Sequence, residues 1–187
     1  MMKDYKVILV GRSGSGKTTA IRSVSEINVV STDVLASDRV DSEKETTTVG
    51  FDYGELTIPG GQNRMRLYGT PGQERFTFMR DILERGSVGI LLLADNHRPD
   101  PLAETRSWLR ALKTGPLAGN AIVLLGIVKC DLSPLPDLEQ YQRLLREEGL
   151  TLPVATLDAR SPERVLFLLK VLFCQLERAR NEEVYSR

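Results

Sequence analysis

The sequence predicts an α/β fold: three layers, with a mainly parallel six-stranded sheet, one antiparallel edge strand and helices on both faces. Three observations carry this. Apolar runs at residues 7–10, 88–94 and 121–128 lack polar alternation, as strands buried on both faces do. Stretches of helical spacing separate the later runs, and strands alternating with helices imply parallel pairing. After the first helix, two alternating stretches flank Pro59-Gly60-Gly61, which is the pattern of an antiparallel hairpin.

The first strand, residues 5–10, runs into Gly11-Arg12-Ser13-Gly14-Ser15-Gly16-Lys17-Thr18, and a helix is expected over 18–25. Residues 31–47 are polar with little periodicity, and so long a connection in a compact domain is usually functional or disordered. Val49, Phe51 and Tyr53 alternate with smaller or polar residues, and Leu56 and Ile58 extend the run. Residues 64–68 return as the partner strand. The loop from Gly69 to Phe76 leads into a helix expected to stop near Gly86. After the strand at 88–94, Asp100 and Pro101 have the character of an N-cap and a first helical residue, with Leu102, Leu109 and Leu112 on one face. After the strand at 121–128, Asp137 and Gln140 form a capping-box pattern before the stripe Leu138, Tyr141, Leu145, and Gly149 can end that helix. Residues 152–157 read as the last strand, and Ser161-Pro162 opens a helix to about residue 180.

The length suits one domain, residues 1–187, with a full core. Lys+Arg and Asp+Glu number 25 each, which argues against nucleic acid or an acidic membrane as the main partner. Cys130 and Cys174 show neither metal spacing nor a disulfide framework. No secretory, myristoylation or prenylation pattern is visible, and the apolar stretch 165–176 is too short to span a bilayer. A cytoplasmic location without an integral membrane segment is expected.

The segment 11–18 is G-x-x-x-x-G-K-[ST], the phosphate-binding loop, in its proper strand–loop–helix context. Its glycines let successive backbone N–H groups converge on an anion, and the helix dipole points to the same place. Ser13, Gly14, Ser15, Gly16, Lys17, Thr18 and Thr19 are the expected phosphate contacts. Lys17 would reach the β- and γ-phosphates, and the Thr18 hydroxyl would ligate Mg²⁺. Asp131, in Lys129-Cys130-Asp131, can accept two hydrogen bonds from guanine, which adenine does not offer, while the Lys129 stem can lie along the purine. A solvated turn would explain the same tripeptide. Among Thr46-Thr47-Thr48, Thr48 has the spacing to close on Mg²⁺ and a γ-phosphate, although β-branched residues also simply start strands. Gly72 could donate its N–H to the γ-phosphate and Gln73 could orient an attacking water; an ordinary turn and helix start is the plainer reading. Lys17 and Gln73 are the expected catalytic residues. His97 reads as a surface residue.

With these motifs in place, the chain resembles the Ras-like small GTPases, a three-layer P-loop NTPase group. Residues 48–53, Thr-Val-Gly-Phe-Asp-Tyr, resemble switch I of the Rab and Arf branches, and 72–76, Gly-Gln-Glu-Arg-Phe, resemble their switch II. Asp158-Ala159-Arg160 takes the place of the loop whose backbone contacts the guanine oxygen. Gly-Thr-Pro-Gly-Gln at 69–73 is closer to a bacterial branch, the MglA-like GTPases, whose members often work with roadblock-domain proteins. The resemblance implies a guanine-nucleotide switch that takes GTP and GDP with Mg²⁺ and slowly hydrolyses GTP, and regulatory partners that read the switch loops. Two positions depart from the family. Gly69 stands where an Asp usually holds a metal-bound water, leaving Asp52 or Asp95 as candidate replacements, and Val128 stands where an Asn usually contacts the base. Arg39, Arg75, Arg80 or a partner could supply an arginine finger. An ATP-using P-loop enzyme and a nucleotide-holding module without turnover are the competing readings.

Overall fold

The computed structural model describes residues 3–31, 51–58, 63–71, 86–114 and 121–185. Among the described residues, seven strands form one sheet in the order β2-β3-β4-β1-β5-β6-β7. They are β1 (Lys3–Val10), β2 (Val30–Ser31), β3 (Asp52–Thr57), β4 (Asn63–Gly69), β5 (Gly89–Asp95), β6 (Ile122–Val128) and β7 (Val154–Leu157). Four helices lie among the described residues: α1 (Lys17–Val24), α2 (Pro101–Thr114), α3 (Leu138–Glu147) and α4 (Pro162–Tyr185). All six expected strands are present. The seventh, β2, is a two-residue strand outside β3. Two residues are too few to show a period, so the sequence carried no signal for it.

β4, β1, β5, β6 and β7 are parallel neighbours, and β3 runs antiparallel to β4. The parallel strands are apolar on both sides because both sides are covered. Val7 and Leu9 of β1, with Leu91 and Leu93 of β5, pack toward Ile21 of α1 and Leu168, Leu169 and Leu172 of α4. Ile8, Val10, Ile90 and Leu92 point the other way, toward Leu109 of α2 and Tyr141 and Leu144 of α3. At about 25 cal/mol per Å² of apolar surface, these two layers supply the main drive for folding.

Local signals hold where the chain is short-range determined. Asp100 accepts from the Ala103 N–H at 2.9 Å, with Pro101 first in α2. Asp137 and Gln140 complete a reciprocal capping box at α3, and Gly149 follows the helix with φ 66°. Leu138 is exposed, however, and Leu144 completes the buried stripe in its place. β7 begins at Val154, two residues later than expected, and α4 continues to Tyr185.

The alternation around Phe51 and Tyr53 left open which face of β3 is buried; Asp52, Gly54 and Leu56 are the buried set. Tyr53 instead stacks beside Tyr68, with ring centroids 5.0 Å apart, and Phe51 lies 6.4 Å from the same ring. Aromatic side chains cover this end of the sheet from the opposite side, and the smaller residues face α1.

Candidate nucleotide site

Because β1, β4, β5, β6 and β7 are parallel, their carboxyl ends share one rim, where ligands of such sheets bind. The loop after β1, Gly69 to Pro71, Asp95, Lys129 to Asp131 and Asp158 to Arg160 all leave strands there. Two clefts open on it. One, about 250 Å³, is lined by Ser13, Lys17, Thr18, Asp52, Gly69 and neighbours. The other, about 220 Å³, is lined by Ser15, Lys129, Asp131, Asp158, Ala159, Arg160 and neighbours. Gly14, Gly16 and Thr19 border both, so the phosphate loop is their common wall.

The loop's shape depends on glycine. Gly11 has φ 143°, and a Cβ there would lie 2.6 Å from the Leu93 carbonyl oxygen. Gly16 has φ 89°, and its Cβ would meet Ala159 at 3.1 Å. Side chains rarely adopt such φ values, and the close approach bars them again. Lys17 opens α1 and curls back under the loop, donating to the carbonyls of Gly11 at 2.8 Å and Arg12 at 2.7 Å. Burial lowers its pKa to about 8, opposed in part by the charge of Asp52. An anion seated above the loop would therefore meet an ammonium already oriented and partly desolvated.

Ser13 and Thr19 stand on the cleft walls as expected. Ser15 differs: its side chain is fully buried and its hydroxyl has no hydrogen-bond partner, so only its backbone is offered to a ligand. Thr18 donates to Asp52 at 2.5 Å, and Ser31 donates to the other Asp52 oxygen at 2.8 Å. A hydroxyl and a carboxylate are hard oxygen donors, which suits Mg²⁺ and not a softer metal. Among the described residues no cluster of three or more His, Cys, Asp or Glu could hold a metal alone. A cation here would draw its remaining ligands from phosphate and water.

At the other cleft, Lys129 adopts φ 60° and its ammonium pairs with Asp95 at 2.7 Å. Asp95 also accepts from the His97 N–H at 3.0 Å. His97 is exposed as expected, 2.9 Å from Ser133 Oγ. Asp131 accepts from Arg160 at 2.9 Å. Arg160 grips Asp158 with two more bonds at 2.9 and 3.0 Å, which holds the Asp158 carboxyl down to about 2. The Arg160 N–H also donates to Asp158, so this backbone donor is already engaged. Val128 is buried in the core at the end of β6 and offers no polar group to the cleft.

Thr48, Gly72 and Gln73 lie outside the described residues, as do Thr46, Thr47, Arg39, Arg75, Arg80 and the helix expected before Gly86. The described rim thus gathers the expected phosphate-loop and base-side residues. It sets Asp52, one of the two candidate carboxylates, at Thr18, and it adds two features that reading along the chain missed: the Lys129–Asp95 pair and the Arg160–Asp131 contact. The placement of Asp52 had a signal. The β3–β4 register is symmetric about positions 60 and 61, and that symmetry alone sets residue 52 opposite residue 69.

A model of the Ras family matches residues 6–153. The chain belongs to the Ras family. Its relatives include Ras-related protein Rab-13 of Rattus norvegicus, 32% identical over 150 residues, covering 78% of this chain and 68% of that protein. Ras-related protein RABA5b of Arabidopsis thaliana is 28% identical over 188 residues, covering 97% and 81%. Ras-related protein Rab-21 of Dictyostelium discoideum is 32% identical over 149 residues, covering 75% and 64%. This Ras-family chain is a small GTPase, a GTP-binding switch that hydrolyses GTP. Among its described residues no helix is long and apolar enough to cross a membrane.

Proposed function

We propose that residues 1–187 form one Ras-like domain that cycles between GTP and GDP with Mg²⁺, using one continuous cleft from the phosphate loop to Asp131. The observation that carries this is the shared wall of Gly14, Gly16 and Thr19 between the phosphate-side and base-side clefts. Ser13, Gly14, Ser15, Gly16, Lys17, Thr18 and Thr19 hold the phosphates, Ser15 through its backbone. Thr18 and Thr48 ligate the metal. Lys129, Asp131 and the Asp158-Ala159-Arg160 turn bind the base. Gly72 contacts the γ-phosphate and Gln73 orients the water. Hydrolysis then rests on positioning and charge stabilisation, and turnover is slow until a partner completes the site.

The pattern Gly-Thr-Pro-Gly-Gln at 69–73 supports a place in the bacterial MglA-like branch. In that reading a roadblock-domain protein or an activator reads the switch loops in the cytoplasm, and the output is signalling. The even charge balance supports a protein partner over nucleic acid.

The test is to purify the protein, release its bound nucleotide, identify it, and time its hydrolysis with and without Mg²⁺. Guanine nucleotide and slow Mg²⁺-dependent release of phosphate are expected. Co-purified ATP would overturn the base assignment, and GTP retained without turnover would leave a binding module.

A further inference from the structure

We infer that Asn96, the first residue past β5, is a positioning residue for the base side: it fixes both ends of the stretch 129–132 and so holds Asp131 where guanine is read. The inference rests on the proposed base-reading role of Asp131 and names what keeps that carboxylate in place.

The contacts of Asn96 define the role. Its backbone N–H donates to the Val128 carbonyl at 3.0 Å. Its side-chain Nδ2 donates to the carbonyls of Ser133 at 2.6 Å and Pro136 at 3.1 Å. One residue therefore grips the chain just before Lys129 and again just after Leu132. Its Oδ1 accepts from the Tyr141 hydroxyl of α3 at 2.9 Å. Two carbonyls on one side call for the amide nitrogen, which leaves the oxygen for the hydroxyl, so the orientation of the group is settled. Asn96 is 1% exposed and Tyr141 is fully buried. Away from water such a satisfied network is stiff, and breaking one member leaves the others unpaired.

The stretch that Asn96 brackets needs holding. Lys129 sits at φ 60°, a left-handed conformation that a side chain adopts only at a cost. Such a backbone persists where its surroundings over-determine it. Here the Lys129 ammonium pairs with Asp95 at 2.7 Å, and its carbonyl accepts from the N–H groups of Leu132 and Ser133 at 3.0 and 3.1 Å. His97 Nδ1 lies 2.9 Å from Ser133 Oγ. Asp95, Asn96 and His97 thus fasten three consecutive positions at the end of β5 to the turn that carries Asp131. In the parallel register Asp95 lies opposite Val128. Val128 brings no polar side chain to this turn, and the amide that secures it comes from the neighbouring strand.

The test compares binding of GDP and of inosine diphosphate to the full chain. Inosine lacks the exocyclic amine, one of the two donors that Asp131 would accept, so the parent should prefer GDP by about 10–100-fold, the value of a hydrogen bond to a charged group. Asn96→Leu keeps nearly the same shape without the polar atoms, and it is expected to lower that preference about tenfold as the carboxylate loses its placement. Tyr141→Phe keeps the ring in the core and removes only the bond to Oδ1, and it is expected to lower the preference about two- to fivefold. A general loosening of the fold would lower the melting temperature and weaken both nucleotides alike, leaving their ratio unmoved. The parental ratio retained in folded Asn96→Leu, or in Tyr141→Phe where Asn96→Leu does not fold, overturns the inference and leaves the Asp131 reading intact. A parent that binds the two diphosphates equally overturns that reading and the inference with it.

Discussion

Arg160 donates to Asp131 at 2.9 Å across the base-side cleft, with the same guanidinium bound twice to Asp158. The carboxylate proposed to select guanine is thus occupied by the protein's own planar donor. Guanine would present a comparable pair of N–H donors and must displace Arg160 to reach Asp131. Asp131 and Arg160 are both substantially exposed, so the exchange costs little.

Arg160→Ala should therefore tighten guanine nucleotide binding by up to about fivefold, the scale of one exposed ion pair. Competition binding with GDP measures it. Weaker binding would show that the guanidinium holds the nucleotide and does not compete with it.

Asp131→Asn should lower GTP affinity by about tenfold to more than a hundredfold, since each buried polar group left unpaired costs about 1–3 kcal/mol. The amide suits a base with a carbonyl in place of the exocyclic amine, so xanthosine triphosphate should gain. Buried Val128 adds no compensating contact. Equal binding of ATP and GTP by the parent, unchanged in the variant, would remove Asp131 from base reading.

Lys17→Ala should abolish tight triphosphate binding in a folded protein. In the parent, burial lowers the Lys17 pKa to about 8, and phosphate in the complex raises it again. The complex then holds a proton that the free protein has begun to lose, so affinity falls as pH rises through 8. Calorimetry of GDP binding at pH 8.5 in buffers of different ionisation enthalpy should show net proton uptake. No uptake there would place Lys17 outside the phosphate contact.

Gly69→Asp alone should destabilise the protein. The family's usual carboxylate would enter space held by Asp52 and within 3.2 Å of Ile21 Cδ1. Overpacking costs about 1–3 kcal/mol, and at about 2–4 °C per kcal/mol for a chain of this size the melting temperature should fall by several degrees. An unchanged Tm would mean that β3 shifts aside at no cost.

Gln73→Leu should slow single-turnover GTP hydrolysis with little change in nucleotide affinity, because the amide positions water and binding does not use it. Hydrolysis at the parent rate would assign water positioning to another group.

The features legible in the sequence are those that local chemistry decides. The apolar runs at 7–10, 88–94 and 121–128 required a covered parallel sheet, because strands apolar on both faces must be buried on both. The glycines and Lys17 of the phosphate loop sit within eight consecutive residues, so their joint function is set by spacing alone. Caps at Asp100 and Asp137 act over three residues and were readable for the same reason. Tertiary structure decided what crosses between strands. Asp52 reaches Thr18 over 34 positions, and Arg160 reaches Asp131 over 29. The inward face of β3 was likewise settled by α1 packing on one side and the Tyr53–Tyr68 contact on the other. A strand's alternation states only that its two faces differ. Which face is buried, and which carboxylate thereby stands beside the phosphate loop, follows from register against the neighbouring strand and from the helix that covers it.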